Sequence, residues 1–341
     1  MAAKFIEKVL VLATGGTIAG SAASAADNIG YTAAQVGVSQ LLAAVPGLDQ
    51  VLAGRTLEAE QVAQIDSKDM SFAVWQQLAQ RVNHHLAQAD VAGIVITHGT
   101  DTLEETAYFL HAVLPALQLA SKPVVLTCAM RPASSVAPDG PQNIRDAVVV
   151  ATTTGACGVL AVCAGAVHAA ADVQKVHTYR LDAFSSGDAG AVAYVEEGAV
   201  RLVKNWPLAP VDMAHAAIEK IASVNHWPRV EIVMNYAGAS GALVDALLAP
   251  VSAAGAQGQT DAQLAQVPLR GLVVAGTGNG TIHQDLEAAL RRAQALGVRV
   301  VRSTRCATGR VLATESSEFA HSKGLSPVKA RIALMLELMQ A

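Results

Sequence analysis

Lys8-Val9-Leu10-Val11-Leu12-Ala13-Thr14-Gly15-Gly16-Thr17-Ile18-Ala19-Gly20 is an apolar run that ends in two glycines and a threonine. A run this apolar has no face to offer water, so it reads as a strand covered on both sides, as in a parallel sheet. Gly93-Ile94-Val95-Ile96-Thr97 repeats the plan and leads into His98-Gly99-Thr100-Asp101-Thr102. Each run delivers a threonine hydroxyl to a glycine-bearing turn at the carboxyl end of a strand. Open α/β sheets bind ligands there, and glycine lets backbone approach a ligand closely. Pro123-Val124-Val125-Leu126-Thr127 and Gly158-Val159-Leu160-Ala161-Val162 read as further buried strands, with helices over 103–117 and 143–151 between them. Such alternation predicts an α/β fold with a doubly wound, mainly parallel sheet.

The alternation breaks at Trp206-Pro207-Leu208-Ala209-Pro210 and restarts after Trp227-Pro228, with strands over 230–234, 272–275 and 298–301 and a last helix after Pro327. The expected organisation is a larger N-terminal α/β domain (1–205), a linker (206–228) and a smaller C-terminal α/β domain (229–341). The stretch 252–263, rich in Ala, Gly and Gln, reads as a surface loop. Residues 20–27 are small and polar, and beside Thr17 they read either as a mobile lid or as an idle surface loop.

At 341 residues the chain can fill two domains, and its net charge of -4 with no basic run excludes an electrostatic footprint for nucleic acid. Residues 147–171 carry no formal charge, but Thr152-Thr153-Thr154-Gly155 interrupts them; they read as a helix end, a turn and a buried strand, not a membrane span. The apolar run after Lys4 and Glu7 reads as a first core strand, not a signal peptide, so a cytoplasmic location is expected, with a periplasmic one as the alternative. The four cysteines lack CxxC spacing and lie in apolar runs, which predicts buried, reduced thiols, with Cys157 and Cys163 the pair most open to another role.

The first motif lacks the G-x-G-x-x-G of a dinucleotide site and the Gly-Lys-Ser/Thr of a phosphate loop. Taken alone, Thr17 is either a helix cap or a reacting hydroxyl. Thr102 with Glu105 has the spacing of a capping box. Asp101 either complements a helix dipole or holds an ammonium group. Lys175 alone reads as a solvated lysine, and His98 as packing behind its strand. His84-His85 lies on a polar helix without carboxylates at ligand spacing, so no metal site is expected.

Taken together, Ala13-Thr14-Gly15-Gly16-Thr17-Ile18-Ala19-Gly20 and Thr97-His98-Gly99-Thr100-Asp101-Thr102-Leu103-Glu104-Glu105-Thr106 resemble the two signatures of bacterial-type L-asparaginases. Ala129-Met130-Arg131-Pro132 with Asp139-Gly140-Pro141-x-Asn143 resembles a third shared block, and Gly276-Thr277-Gly278-Asn279-Gly280 the glycine-asparagine turn of the family's smaller domain. The resemblance implies amide hydrolysis through an acyl-enzyme, with no cofactor or metal. Thr17 matches the nucleophile and Tyr31 the loop tyrosine that helps activate it. Thr100 and Asp101 match a pair that works with a lysine, here Lys175, whose neutral form beside a threonine hydroxyl can act as base. Either threonine can attack first. Ser67 matches a carboxylate-binding serine, the Ala129 carbonyl an acceptor for the substrate amide, and the Thr17 N–H an oxyanion donor.

Lys68 stands where well-known members have glutamine; a cation there repels an ammonium group unless it turns away or pairs with a carboxylate, and Lys68 is expected to disfavour the longer glutamine as substrate. Thr281 stands at the neighbour-subunit ligand after the Gly-Asn-Gly turn, and with Gln284 it also has capping-box spacing. Glu315, or Glu318 as second choice, matches the glutamate that reaches over from the neighbour. The resemblance therefore implies hydrolysis of L-asparagine by a homotetramer, a dimer of dimers, with no nucleic-acid or membrane partner. The alternatives are a dual glutaminase-asparaginase, an ammonia-supplying amidotransferase subunit, and a non-catalytic amino-acid sensor on the same scaffold.

Overall fold

The computed structural model describes residues 6–207, 214–249, 267–313 and 318–340. Strand β1 (Lys8–Gly15) is buried along nearly all its length because parallel strands flank it, β2 (Thr56–Ile65) on one side and β3 (Val91–Thr97) on the other. β4 (Val124–Thr127) and β5 (Val159–Cys163) continue the parallel run. β6 (Ala166–Ala169) turns antiparallel, a separate hairpin follows as β7 (Gln174–Lys175) and β8 (Phe184–Ser185), and β9 (Ala193–Glu196) with β10 (Ala199–Leu202) closes the edge. The large sheet has the order β10-β9-β6-β5-β4-β3-β1-β2.

Its helices are α1 (Val38–Ala43), α2 (Leu48–Leu52), α3 (Phe72–Leu86), α4 (Leu103–Val113), α5 (Ala116–Leu119), α6 (Gly140–Thr152) and α7 (Ala214–Ser223). α6 lays Ala147, Val148, Val150 and Ala151 against Val9, Val11, Val95, Val125 and Leu160. Strand alternation turns Leu10, Leu12, Ile94, Ile96 and Leu126 to the other face, where they are equally buried. Burial on both faces is what made these strands read as unbroken apolar runs. In α3, Trp75 stacks on Phe109 of α4 at 4.8 Å, and its indole N–H donates to Thr106 at 2.9 Å.

The helix expected over 103–117 ends at Val113, because Pro115 pushes Leu114 into the extended region (ψ 147). The stretch read as a linker carries α7, which packs on α3 and α4 through the buried Ile218 and Ile221, three residues apart on one helix face. Gln76 fastens it by donating to the Ile221 carbonyl at 2.7 Å. The first compact unit accordingly runs to Ser223 and the second begins at Val224.

The second unit holds β11 (Arg229–Met234), α8 (Ala242–Leu248), β12 (Leu269–Gly276), α9 (Gln284–Ala295), β13 (Arg299–Thr304), β14 (Ala320–His321) and α10 (Pro327–Gln340), its four strands parallel in the order β11-β12-β13-β14. Val233, Leu272, Val274, Leu290, Val300 and Phe319 belong to its core. The loop expected over 252–263 lies outside the described residues. Among those described, no helix is long and apolar enough to cross a membrane.

Candidate active site

From β1 the sheet grows outward in both directions, to β2 on one side and β3 on the other. A crevice opens at the carboxyl ends of strands where the order reverses in this way. Four of the predicted residues follow four adjacent strand ends: Ser67 after β2, Thr17 after β1, Thr100 after β3 and Ala129 after β4. The registers Ala13↔Thr97 and Thr97↔Thr127 keep three of those ends level.

The glycines set how closely the ends approach. Gly16 has φ 83, and a Cβ on it would collide with the backbone of Gly99; a Cβ on Gly99 would collide with the Ser67 hydroxyl. Thr17 and Thr100, one residue beyond each glycine, are thereby drawn to the same place. Thr17 opens a 3-10 turn, Thr17–Ala19, but caps nothing; its Oγ1 lies 2.6 Å from Tyr31 Oη. Its backbone N–H meets no acceptor among the described residues.

Tyr31 is returned to Thr17 by a pair of backbone hydrogen bonds between Ser21 and Thr32, both 2.9 Å. Residues 23–26 of the segment 20–27 are exposed, yet it is fastened: the Ala22 N–H donates to Ser134 Oγ at 2.8 Å and the Val136 N–H to the Ala25 carbonyl at 2.9 Å. Asp27 turns the chain by accepting from the Gly30 and Ile29 N–H groups, which holds its carboxyl below the usual range.

Lys175, on β7, donates from Nζ to Thr100 Oγ1 at 2.8 Å and to Asp101 Oδ1 at 2.6 Å, so it is a partner of the second motif rather than a solvated lysine. Its backbone N–H is held at 3.2 Å by Glu104. Ser67, buried, accepts from the Asp101 N–H at 3.2 Å. Thr102 stands at the helix N-cap but makes no side-chain cap; its hydroxyl donates to the Ser67 carbonyl at 2.8 Å. The capping box read from the sequence is therefore not formed. Thr102 and Glu104 are the positioning residues that the sequence reading missed; Thr102 was absorbed by the capping box with Glu105, and no spacing marked Glu104.

Lys68 turns to its neighbours, Asp69 at 2.6 Å and Asp66 at 3.4 Å, and these carboxylates raise its pKa. Behind Ala129, Asp139 accepts from the Met130 and Arg131 N–H groups at 2.9 Å each. Asn143 donates to the Cys128 carbonyl at 2.9 Å and accepts from the Ala164 N–H at 3.0 Å. The third sequence block is thus the wiring of the loop that carries the Ala129 carbonyl.

Thr281 lies in the second unit, where its Oγ1 is 2.8 Å from Thr277 Oγ1 across an isolated bridge. It does not cap α9; His283 does, its ring accepting from the Asp285 N–H at 3.2 Å. Glu315 lies outside the described residues. Glu318 pairs with Arg291 at 2.6 Å.

His98 is fully buried, with Nδ1 2.7 Å from the Gly99 carbonyl, and desolvation lowers its pKa to about 4. His85 does have a carboxylate neighbour, Glu60 of β2 at 3.2 Å, which Arg81 also holds at 2.6 Å. The thiols that meet are Cys128 and Cys163, not Cys157 and Cys163, and Cys306 is exposed rather than buried.

Residues 8–208 match the family model described as "Asparaginase, N-terminal", and residues 229–341 that described as "Glutaminase/Asparaginase C-terminal domain". The chain is 37% identical to L-asparaginase 2 of Escherichia coli over 99% of its own length and 91% of that protein. It is 35% identical to the glutaminase-asparaginase of Pseudomonas fluorescens, covering 98% of this chain and 86% of that one. The crystal structure of a probable cytoplasmic L-asparaginase from Campylobacter jejuni superposes with a TM-score of 0.85 at 32% identity, covering 98% and 96% of the two chains. Matching family models in both units, and relatives this similar over nearly the whole chain, make this protein a member of the asparaginase family.

Proposed function

We propose that the protein is an amidohydrolase that cleaves the side-chain amide of L-asparagine to L-aspartate and ammonia through an acyl-threonine. The observation that carries this reading is the meeting of two hydroxyl systems at one sheet edge, Thr17 with Tyr31 and Thr100 with Lys175 and Asp101. Thr17 Oγ1 attacks the amide carbon while its proton leaves along the 2.6 Å contact to Tyr31. In this reading the Thr17 N–H, which has no acceptor among the described residues, donates to the oxyanion, a contribution of about 2.7–4 kcal/mol per donor in the transition state. As the tetrahedral adduct collapses, the amide nitrogen takes up the proton that Tyr31 received and leaves as ammonia. Water then attacks the ester, with the Thr100–Lys175–Asp101 unit receiving its proton. Asp101 and the buried Ser67 hydroxyl supply the acceptor and donor that the substrate's ammonium and α-carboxylate require.

The assembly proposed is a homotetramer of close dimers in the cytoplasm, with Thr281 and Glu315 of one protomer completing the neighbour's site. Thr17→Ala is expected to lower ammonia release from asparagine on the order of 10⁴-fold or more while far-UV CD and Tm stay those of the parent. Turnover near the parent's would remove Thr17 from the nucleophile's role.

The similarity to a glutaminase-asparaginase supports a second reading, in which both amides are substrates. Turnover of asparagine and glutamine side by side separates the two. A non-catalytic sensor would bind aspartate in calorimetry and release no ammonia.

A further inference from the structure

β4 and β5 run parallel in the register Val124↔Val159 through Thr127↔Val162, so the next positions along, Cys128 and Cys163, stand side by side. Their sulfurs are 3.2 Å apart, and both side chains are buried. Adjacent strands lie ~4.8 Å apart, within the Cα spacing of roughly 4.4–6.8 Å that a disulfide spans. The two chains are already tied on either side of the sulfurs. Thr127 Oγ1 donates to the Val162 carbonyl at 2.8 Å, and Asn143 joins the Cys128 carbonyl to the Ala164 N–H. Closing the pair covalently therefore demands little of the backbone.

The geometry points to Cys128 and Cys163 as a dithiol modification site at which hydrogen peroxide, uncharged and water-sized, produces an intramolecular disulfide. Burial at 1% and 4% exposure keeps out bulky charged oxidants such as glutathione disulfide, whereas a peroxide molecule needs no more room than water. Cys163, the slightly more exposed residue of the two, attacks the O–O bond and gives up its thiol proton as it does so. An S–O bond forms, the O–O bond breaks, and the departing hydroxide takes up the Cys163 thiol proton and leaves as water. The Cys128 sulfur then attacks that of the Cys163 sulfenic acid. An S–S bond forms, the S–O bond breaks, and the departing hydroxide takes the Cys128 proton. Two thiols and one peroxide become one disulfide and two waters, the sulfurs being oxidised and the peroxide oxygens reduced. Burial and the neighbouring sulfur push the Cys128 thiol up, which leaves it the resolving partner rather than the first attacker.

None of this depends on the amide chemistry. The test uses the full chain carrying Cys306→Ser, since Cys306 is exposed and open to intermolecular coupling. The protein is treated with hydrogen peroxide, denatured, alkylated with iodoacetamide and mapped by peptide mass. The expected result is a Cys128–Cys163 linked peptide, near-complete loss of alkylation at both positions, recovery of both with dithiothreitol, and an unlinked Cys157. Full alkylation of Cys128 and Cys163 after peroxide, or arrest at a Cys163 sulfinic acid with Cys128 still free, overturns the proposal.

Discussion

Thr102 and Thr281 each begin a Thr-x-x-Glu/Gln sequence, and neither hydroxyl caps its helix. A cap contributes ~1 kcal/mol, which a buried long-range hydrogen bond matches, so local spacing alone could not choose between them. Lys68 is a further case: a cation in a site that must accept an ammonium group is neutralised by Asp69 and Asp66. Because the charge is already paired and pointed at solvent, Lys68→Gln is expected to change the asparagine-to-glutamine ratio of kcat/KM by less than about threefold. A tenfold shift in that ratio would put Lys68 within reach of the substrate. Thr102→Val, which removes the tie to Ser67, is expected to raise KM for asparagine about tenfold, since a hydrogen bond of roughly 1.4 kcal/mol orients the serine. An unchanged KM in steady-state ammonia assays would leave Thr102 without a positioning role.

Among the elements, the buried parallel strands were readable because both faces of β1, β3, β4 and β5 are covered, so periodicity vanishes into a continuous apolar run. β2 carries Glu58, Glu60, Gln61 and Gln64 and is largely open to solvent, and without an apolar run nothing marked it as the edge strand that delivers Ser67. α7 was hidden by the proline-bearing stretch before it, although Ile218 and Ile221 dock it on α3 and α4. The loop after β4 depends on one side chain of α6. Asn143→Ala strips the partner from the buried Cys128 carbonyl and from the Ala164 N–H, and is expected to destabilise the protein by about 1–3 kcal/mol. A urea midpoint within error of the parent's would show that these groups find other partners.

On the scale of the whole molecule, stability carries a pH signature from His98. Its pKa falls from 6.5 to about 4 on folding, so the unfolded chain binds the extra proton between those values. The stability this provides is fully present above pH 6.5 and is lost as pH drops towards 4, amounting to about 2 kcal/mol at pH 5. His98→Asn, which keeps a donor for the Gly99 carbonyl, is expected to flatten the fall in Tm between pH 7 and pH 5. An equally steep fall in the variant would assign that pH dependence to other groups.

What the chain announces in one dimension is its sheet and the ends of its strands. Apolar runs mark strands covered on both faces, and the glycine and threonine pairs that follow them mark the edge where a ligand must lie. The partners at that edge were named only through the family resemblance or not at all, and their contacts came with the fold. Lys175 reaches Thr100 from 75 residues away, Thr102 holds Ser67 across 35, and Cys128 finds Cys163 instead of the nearer Cys157 pairing with it. Burial of an apolar run is set by local composition, whereas a hydrogen bond or thiol contact is set by strand register and crossover, which bring together side chains that no spacing along the chain relates.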